Sequence, residues 1–123
     1  YPLIADDDTH YYDGSDETAS CIMLSCAPDA SDQEILDAIR RQAFYATQGP
    51  EIHIFRNGDQ VTVRCSPVSR ISFFSNAVWA RDRCVRGENL TQSSCRLLPF
   101  ETFIRAEATD SRGRRAWSNI LRL

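Results

Sequence analysis

The stretch 51–65, EIHIFRNGDQVTVRC, decides the fold. Ile52 and Ile54 alternate with His53 and Phe55, and Val61, Val63 and Cys65 alternate with Thr62 and Arg64. A period of two marks strands with one face buried and one face wet. Asn57-Gly58 lies between the two runs. That pair suits a two-residue hairpin, because both central positions of a type I′ turn need positive φ. The spacing predicts an antiparallel hairpin whose second strand ends at Pro67.

Further along, Ile71 and Phe73 start another strand, with Phe74 on its other side. Residues 79–90 are charged and irregular and read as a loop, and Cys95 to Phe100 is a short strand candidate. From Phe103 to Thr109, Ile104, Ala106 and Ala108 alternate with Arg105 and Glu107. Asp110-Ser111-Arg112-Gly113 is a turn, and Arg115 to Leu123 a final strand in which Trp117 is expected to anchor the core. About six short strands separated by turns predict an antiparallel, Ig-like β-sandwich over residues 51–123.

Before Pro50 the pattern differs. Residues 1–19 are polar and aperiodic and read as a loop. Cys21 to Leu24 is a short apolar run between serines, read as a buried strand. Ser31 followed by Glu34 is a capping box, and Ile35, Leu36, Ile39 and Ala43 then share one face. Acidic residues open this segment and Arg40 and Arg41 close it, which complements the helix dipole. The spacing predicts a helix from Asp32 to Ala43, making the chain mainly β with one α-helix.

Charge divides at the same place. Residues 1–50 carry ten Asp/Glu against two Arg, net −8, and residues 51–123 carry seven against twelve, net +5. We therefore expect a boundary near Gly49-Pro50, giving units 1–50 and 51–123. No apolar run approaches the roughly 18–20 residues that cross a bilayer. The acidic start does not read as a signal peptide, and a chain opening on Tyr1 reads as trimmed or as a fragment. The five cysteines include no C-x-x-C pair, and their odd count argues against a zinc ribbon or a disulfide framework. Cys65 continues a strand's apolar alternation and reads as a buried small hydrophobe. A Cys84–Cys95 bridge is a further option, set against an expected reducing, cytoplasmic compartment.

The chemistry-bearing motif is at the start, where residues 5–10 read ADDDTH. Asp8 and His10 form a D-x-H step that can aim a carboxylate oxygen and an imidazole nitrogen at one metal ion. Hard oxygen with borderline nitrogen suits Zn, Mn or Fe. Two ligands are half a site, and the other histidine is His53, read as a solvent-facing strand residue. Phe44 and Tyr45 read as packing between helix and sheet. Arg81, Arg83 and Arg86 read as a solvated loop, with too small a positive excess for a nucleic-acid face.

The succession ADDDTHYYD, SDQEILDAIRRQAFYATQGPEI, VRCSPVSRISF and ATDSRGRRAWSNIL resembles the C-terminal part of PHP-domain proteins, the polymerase-and-histidinol-phosphatase class of metal-dependent phosphoesterases. The resemblance covers nearly the whole chain. It implies that residues 1–50 are a strand–helix remnant of a (β/α)7 barrel holding two or three divalent metals, with the sandwich as its tail. Asp8 and His10 would be the last metal ligands along the chain. Asp7 would stand where relatives carry a small residue or another Asp. Asp6, Asp7 or Asp13 would orient His10, and Tyr11 and Tyr12 would line the mouth of the site. The H-x-H and further His and Glu ligands of the family have no counterpart here. The implied partners are therefore a missing N-terminal barrel and a phosphorylated substrate, and this chain alone is expected to be inactive. A second departure is Gln42, where relatives often place Gly. The competing expectation is a non-catalytic Ig-like module for binding or homo-oligomer contacts, favoured by the apolar face of the helix. Neither reading involves nucleic acid or a membrane.

Overall fold

The computed structural model describes residues 2–11, 13–15 and 19–123. It contains β1 (Cys21–Leu24), α1 (Asp32–Arg40), β2 (Phe44–Thr47), β3 (Ile52–Asn57), β4 (Gln60–Ser75), β5 (Cys84–Arg96), β6 (Phe103–Thr109), β7 (Arg115–Ser118) and β8 (Leu121–Arg122). Every strand pairing is antiparallel. The strand order is β1-β2-β7-β6-β4-β3, with β5 on β4 and β8 on β6.

β4 organises the sheet. Its first half pairs with β3, from Ile52↔Cys65 to Asn57↔Gln60. Its second half pairs with β6, from Arg70↔Thr109 to Ser75↔Ile104. β5 follows the opposite side of both halves. β3 comes back over β7 and β6, so the bent sheet closes on itself as a sandwich-like fold. Between the layers, Ile52, Val61, Val63, Ile71 and Ile104 are fully buried. Burial of each such side chain contributes about 1.5–3 kcal/mol. Ala106, Ala108 and Ala116 are also fully buried, and their small size lets the layers approach.

The hairpin and the β6–β7 turn match the sequence reading in kind, but several details differ. The hairpin's central residues are Gly58 and Asp59, because Asn57 already pairs with Gln60. Gly58 alone has positive φ (61°), the requirement of a type II′ turn rather than I′. Pro67 does not end the strand. It sits where the β4–β5 register is irregular, between Arg64 and Val68, and a bulge tolerates a residue with no N–H to donate. Much of the expected loop 79–90 is the start of β5, whose residues are mostly exposed on both faces. An edge strand needs no apolar alternation, so periodicity cannot reveal it. Cys84 and Cys95 are both free thiols, eleven positions apart on that one extended strand, which excludes a bridge between them. Trp117 pairs with Glu107 on the outer face and donates its indole N–H to that carboxylate at 3.0 Å, instead of anchoring the core.

The capping box forms as expected. Ser31 Oγ accepts from Glu34 N, and the Glu34 carboxylate accepts from Ser31 N at 2.8 Å. Donation from the Ser31 N–H and from the Ser31 hydroxyl holds the Glu34 carboxyl below its usual range. The helix stops at Arg40 rather than Ala43, because Gln42 adopts φ 57°, a left-handed conformation that glycine takes at least cost. The following Phe44–Thr47 then forms β2 between β1 and β7. That pairing carries the sheet across the expected 50/51 boundary.

Candidate metal-binding loop

Residues 2–11 run beside the β1 edge as irregular chain tied to the rest of the fold. Leu3 N donates to Asn119 Oδ1 at 3.1 Å, and Asn119 Nδ2 donates to the Phe44 carbonyl at 2.8 Å. Asp7 Oδ1 accepts from the backbone N–H of Ser20, the residue before β1. The motif is thereby anchored to the sheet by its half-buried aspartate. Asp8 and His10 are left on the exposed side.

Inside the loop the backbone turns sharply. Asp8 has φ 51°, a conformation that Asn and Asp tolerate better than other non-glycine residues. Its N–H donates to Asp6 Oδ1 at 3.1 Å, an Asx-type turn. The turn brings His10 Nδ1 into hydrogen-bond contact with the Asp8 carbonyl. A carbonyl only accepts, so Nδ1 carries the proton and, in the neutral ring, the lone pair lies on Nε2. Metal-ligating histidines are commonly oriented in this way, by a backbone carbonyl on the far nitrogen.

Tyr11 is exposed. Asp13 caps the next turn, where its Oδ1 accepts from Ser15 N at 2.9 Å. Hydrogen bonds from the Ser15 side chain and backbone hold the Asp13 carboxyl below its ordinary value. Tyr12 lies outside the described residues. Asp6, Asp7, Asp8 and Thr9 line one open hollow with Ser20, Cys21 and Ile22. Among the described residues no three His, Cys, Asp or Glu side chains converge as a metal cage. Asp8 with His10 fits half of a Zn, Mn or Fe site in donor type and in imidazole orientation.

Two other groupings carry no signal in sequence spacing. A groove of about 610 Å³ opens between the β1–β2 end of the sheet and β3. Within it His53 lies edge-on to Tyr45 at 5.4 Å and stacked on Phe55 at 6.5 Å. Elsewhere, Arg83 is drawn into the interior rather than solvated. Its Nη2 reaches both Glu101 carboxylate oxygens at 2.8 Å and its Nη1 reaches Cys95 Sγ at 2.6 Å. Glu101 also accepts from Leu98 N at 2.6 Å and from Ser75 Oγ. Burial pushes the Cys95 thiol up, and the Arg83 guanidinium opposes that rise. These residues come from three separate segments, so only the fold assembles them.

Among the described residues, no helix is long and apolar enough to cross a membrane. No protein-family model, curated protein or solved structure matches this chain.

Proposed function

We propose that this chain is the C-terminal part of a PHP-type, metal-dependent phosphoesterase. In this reading an Ig-like sandwich carries β1, α1 and β2 as the last strand–helix remnant of a (β/α)7 barrel. The observation that supports it most is the His10 Nδ1 bond to the Asp8 carbonyl. It presets a ligand tautomer on a loop that Asp7 fastens to the sheet. The half-exposed Leu36 on α1 also fits a surface that packs against further chain. Five free thiols agree with a reducing, cytoplasmic setting.

The chain's residues have distinct roles in this reading. Asp8 supplies negative charge and an oxygen donor, and His10 a neutral nitrogen donor. Asp6 holds the turn that sets their spacing, and Asp7 keeps the loop from swinging away from β1. Divalent Zn, Mn or Fe would polarise a phosphoryl oxygen and lower the pKa of bound water towards about 7. With half a cage, this chain alone would bind metal weakly and hydrolyse nothing.

The test is the reading frame and the metal content of its product. An H-x-H motif and further His and Glu residues should precede Tyr1. The full product should carry at least two equivalents of Zn, Mn or Fe and cleave a phosphomonoester such as p-nitrophenyl phosphate. His10→Asn should lower both metal content and turnover. A frame beginning close to Tyr1 sinks the proposal and leaves the non-catalytic, self-associating module, which the same exposed Leu36 favours.

A further inference from the structure

The outer face of the sheet on the β5–β4–β6–β7 side collects arginines. Arg70 on β4 stands directly opposite Arg86 on β5. On its other side Arg70 faces Thr109, and Thr109 faces Arg115 on β7. These residues form one row across four adjacent strands. At about 4.8 Å per strand the row is about 14 Å long. Two same-face steps along β6 from Thr109, beyond Glu107, Arg105 lies over the Phe74 ring at 4.4 Å, with its Nη1 buried and lacking a hydrogen-bond partner.

The face is short of counter-charge. Glu107 is its central carboxylate, and it is shared. It lies 3.4 Å from Arg70 Nη2, 3.9 Å from Arg115 Nε and 3.0 Å from the Trp117 indole nitrogen. The next acid along β5, Glu88, lies past Gly87 in the irregular part of the strand. Arg86 is exposed and forms no ion pair among the described residues. Like charges directly opposite on neighbouring strands are destabilising, so the Arg70–Arg86 pair costs stability unless an anion lies between them.

We propose that this row binds a linear chain of phosphates, inorganic polyphosphate. Guanidinium forks match phosphate oxygens bidentately, and a line of cations about 14 Å long fits an extended polyanion better than one phosphate. Single-stranded nucleic acid also needs open aromatic faces on which bases stack. On this face Arg105 covers the Phe74 ring, and Trp117 is bonded to Glu107. The row spans β7 to β5, whereas the Asp8–His10 loop lies beside β1, with β2 between them in the strand order, so it is a site separate from the proposed metal centre.

Calorimetric titration of this chain with a long linear polyphosphate, in buffer containing EDTA, tests the assignment. Without metal, the outcome does not depend on whether the phosphoesterase reading holds. Saturable binding is expected, weakening linearly on a log–log plot against salt as counterions are released. Arg70→Gln/Arg86→Gln should lower the affinity by roughly tenfold, and Arg70→Lys/Arg86→Lys by less. Arg40→Gln, on α1, should change nothing. If the double Gln variant melts early, Arg115→Gln alone, at the exposed end of the row, replaces it. Equal or tighter binding of oligo-dT or poly-glutamate of matched charge overturns the proposal. So does affinity no better than for inorganic phosphate, or a folded row variant that binds as the parent does.

Discussion

At the residue scale, carboxylates hold the connections together. Asp110 Oδ1 accepts from the N–H groups of Arg112 and Arg114 at 2.9 Å, and Oδ2 accepts from Arg114 Nε at 2.8 Å. Burial alone would raise this carboxyl, but bonds from the Arg114 side chain and backbone and from the Arg112 backbone outweigh it and hold the group low. A depressed folded value means that the stability is present above the unfolded value of about 3.9 and lost as pH falls through the folded one. Asp110→Asn should therefore lower the melting temperature at pH 7, by about 1–2 kcal/mol in stability. The gap from the parent should close below the ordinary carboxylate range. A gap independent of pH would contradict this account. The Asp110–Gly113 turn was readable in sequence because Asp and Gly at those positions have local roles. The Arg83–Glu101 pair was not, because its partners meet only after β5 and the following turn are in place. Its side chains are 11% and 0% exposed. Glu101→Ala should thus cost about 3–5 kcal/mol by leaving a buried guanidinium uncompensated, as measured by urea unfolding. Burial pushes the Cys65 thiol up to about 11. At pH 8 it should react with iodoacetamide far more slowly than the exposed Cys21, Cys26 and Cys84.

At the element scale, what was legible depended on whether a segment's own period decided its state. β3, the first half of β4, and β6 bury alternate residues, so the sequence pattern showed them. The capping box likewise marked the start of α1. β2 was hidden because Phe44–Thr47 continues an apolar helical face in sequence, and only pairing with β1 and β7 makes it a strand. The deciding residue is Gln42, which turns the chain out of the helix at positive φ. A non-glycine residue there is strained by about 1–2 kcal/mol, and glycine loses some of that gain to its unfolded-state freedom. Gln42→Gly should therefore raise stability, by up to about 1 kcal/mol, and Gln42→Val should lower it. Thermal melts of the two variants check the sign, and a Val variant as stable as the parent would contradict the left-handed assignment. The Asp8–His10 loop was legible only as a motif. The D-x-H spacing was visible, but the Asp7–Ser20 tether and the His10–Asp8 contact depend on a backbone turn that spacing does not encode.

At the scale of the whole molecule, the charge split at residue 50 does not coincide with a gap in hydrogen bonding. β2 pairs with β7 from Tyr45↔Ser118 to Thr47↔Ala116. Gln48 and Arg115 exchange bonds, Gln48 N to the Arg115 carbonyl and Arg115 N to Gln48 Oε1. Thr47 Oγ1 donates to the Pro50 carbonyl at 2.6 Å and accepts from Gly49 N at 2.8 Å. Gly49 is also closely covered. A Cβ there would lie 2.8 Å from Arg114 Nη1, at φ +143°, so the connection fits tightly under the β6–β7 turn rather than forming a loose linker. A sheet continuous from β1 to β3 should unfold as one unit, because separating β2 from β7 exposes ladder groups and the buried Ala46 and Ala116 together. The chain should therefore show one thermal transition by both far-ultraviolet dichroism and Trp fluorescence. Amides of Ala46 and Thr47 should exchange hydrogen as slowly as those of Val63. Gly49→Ala should lower that single midpoint without splitting it. Two separable transitions, with residues 21–47 opening well before 52–118, would mean that the acidic half folds as its own unit and that the β2–β7 ladder contributes little.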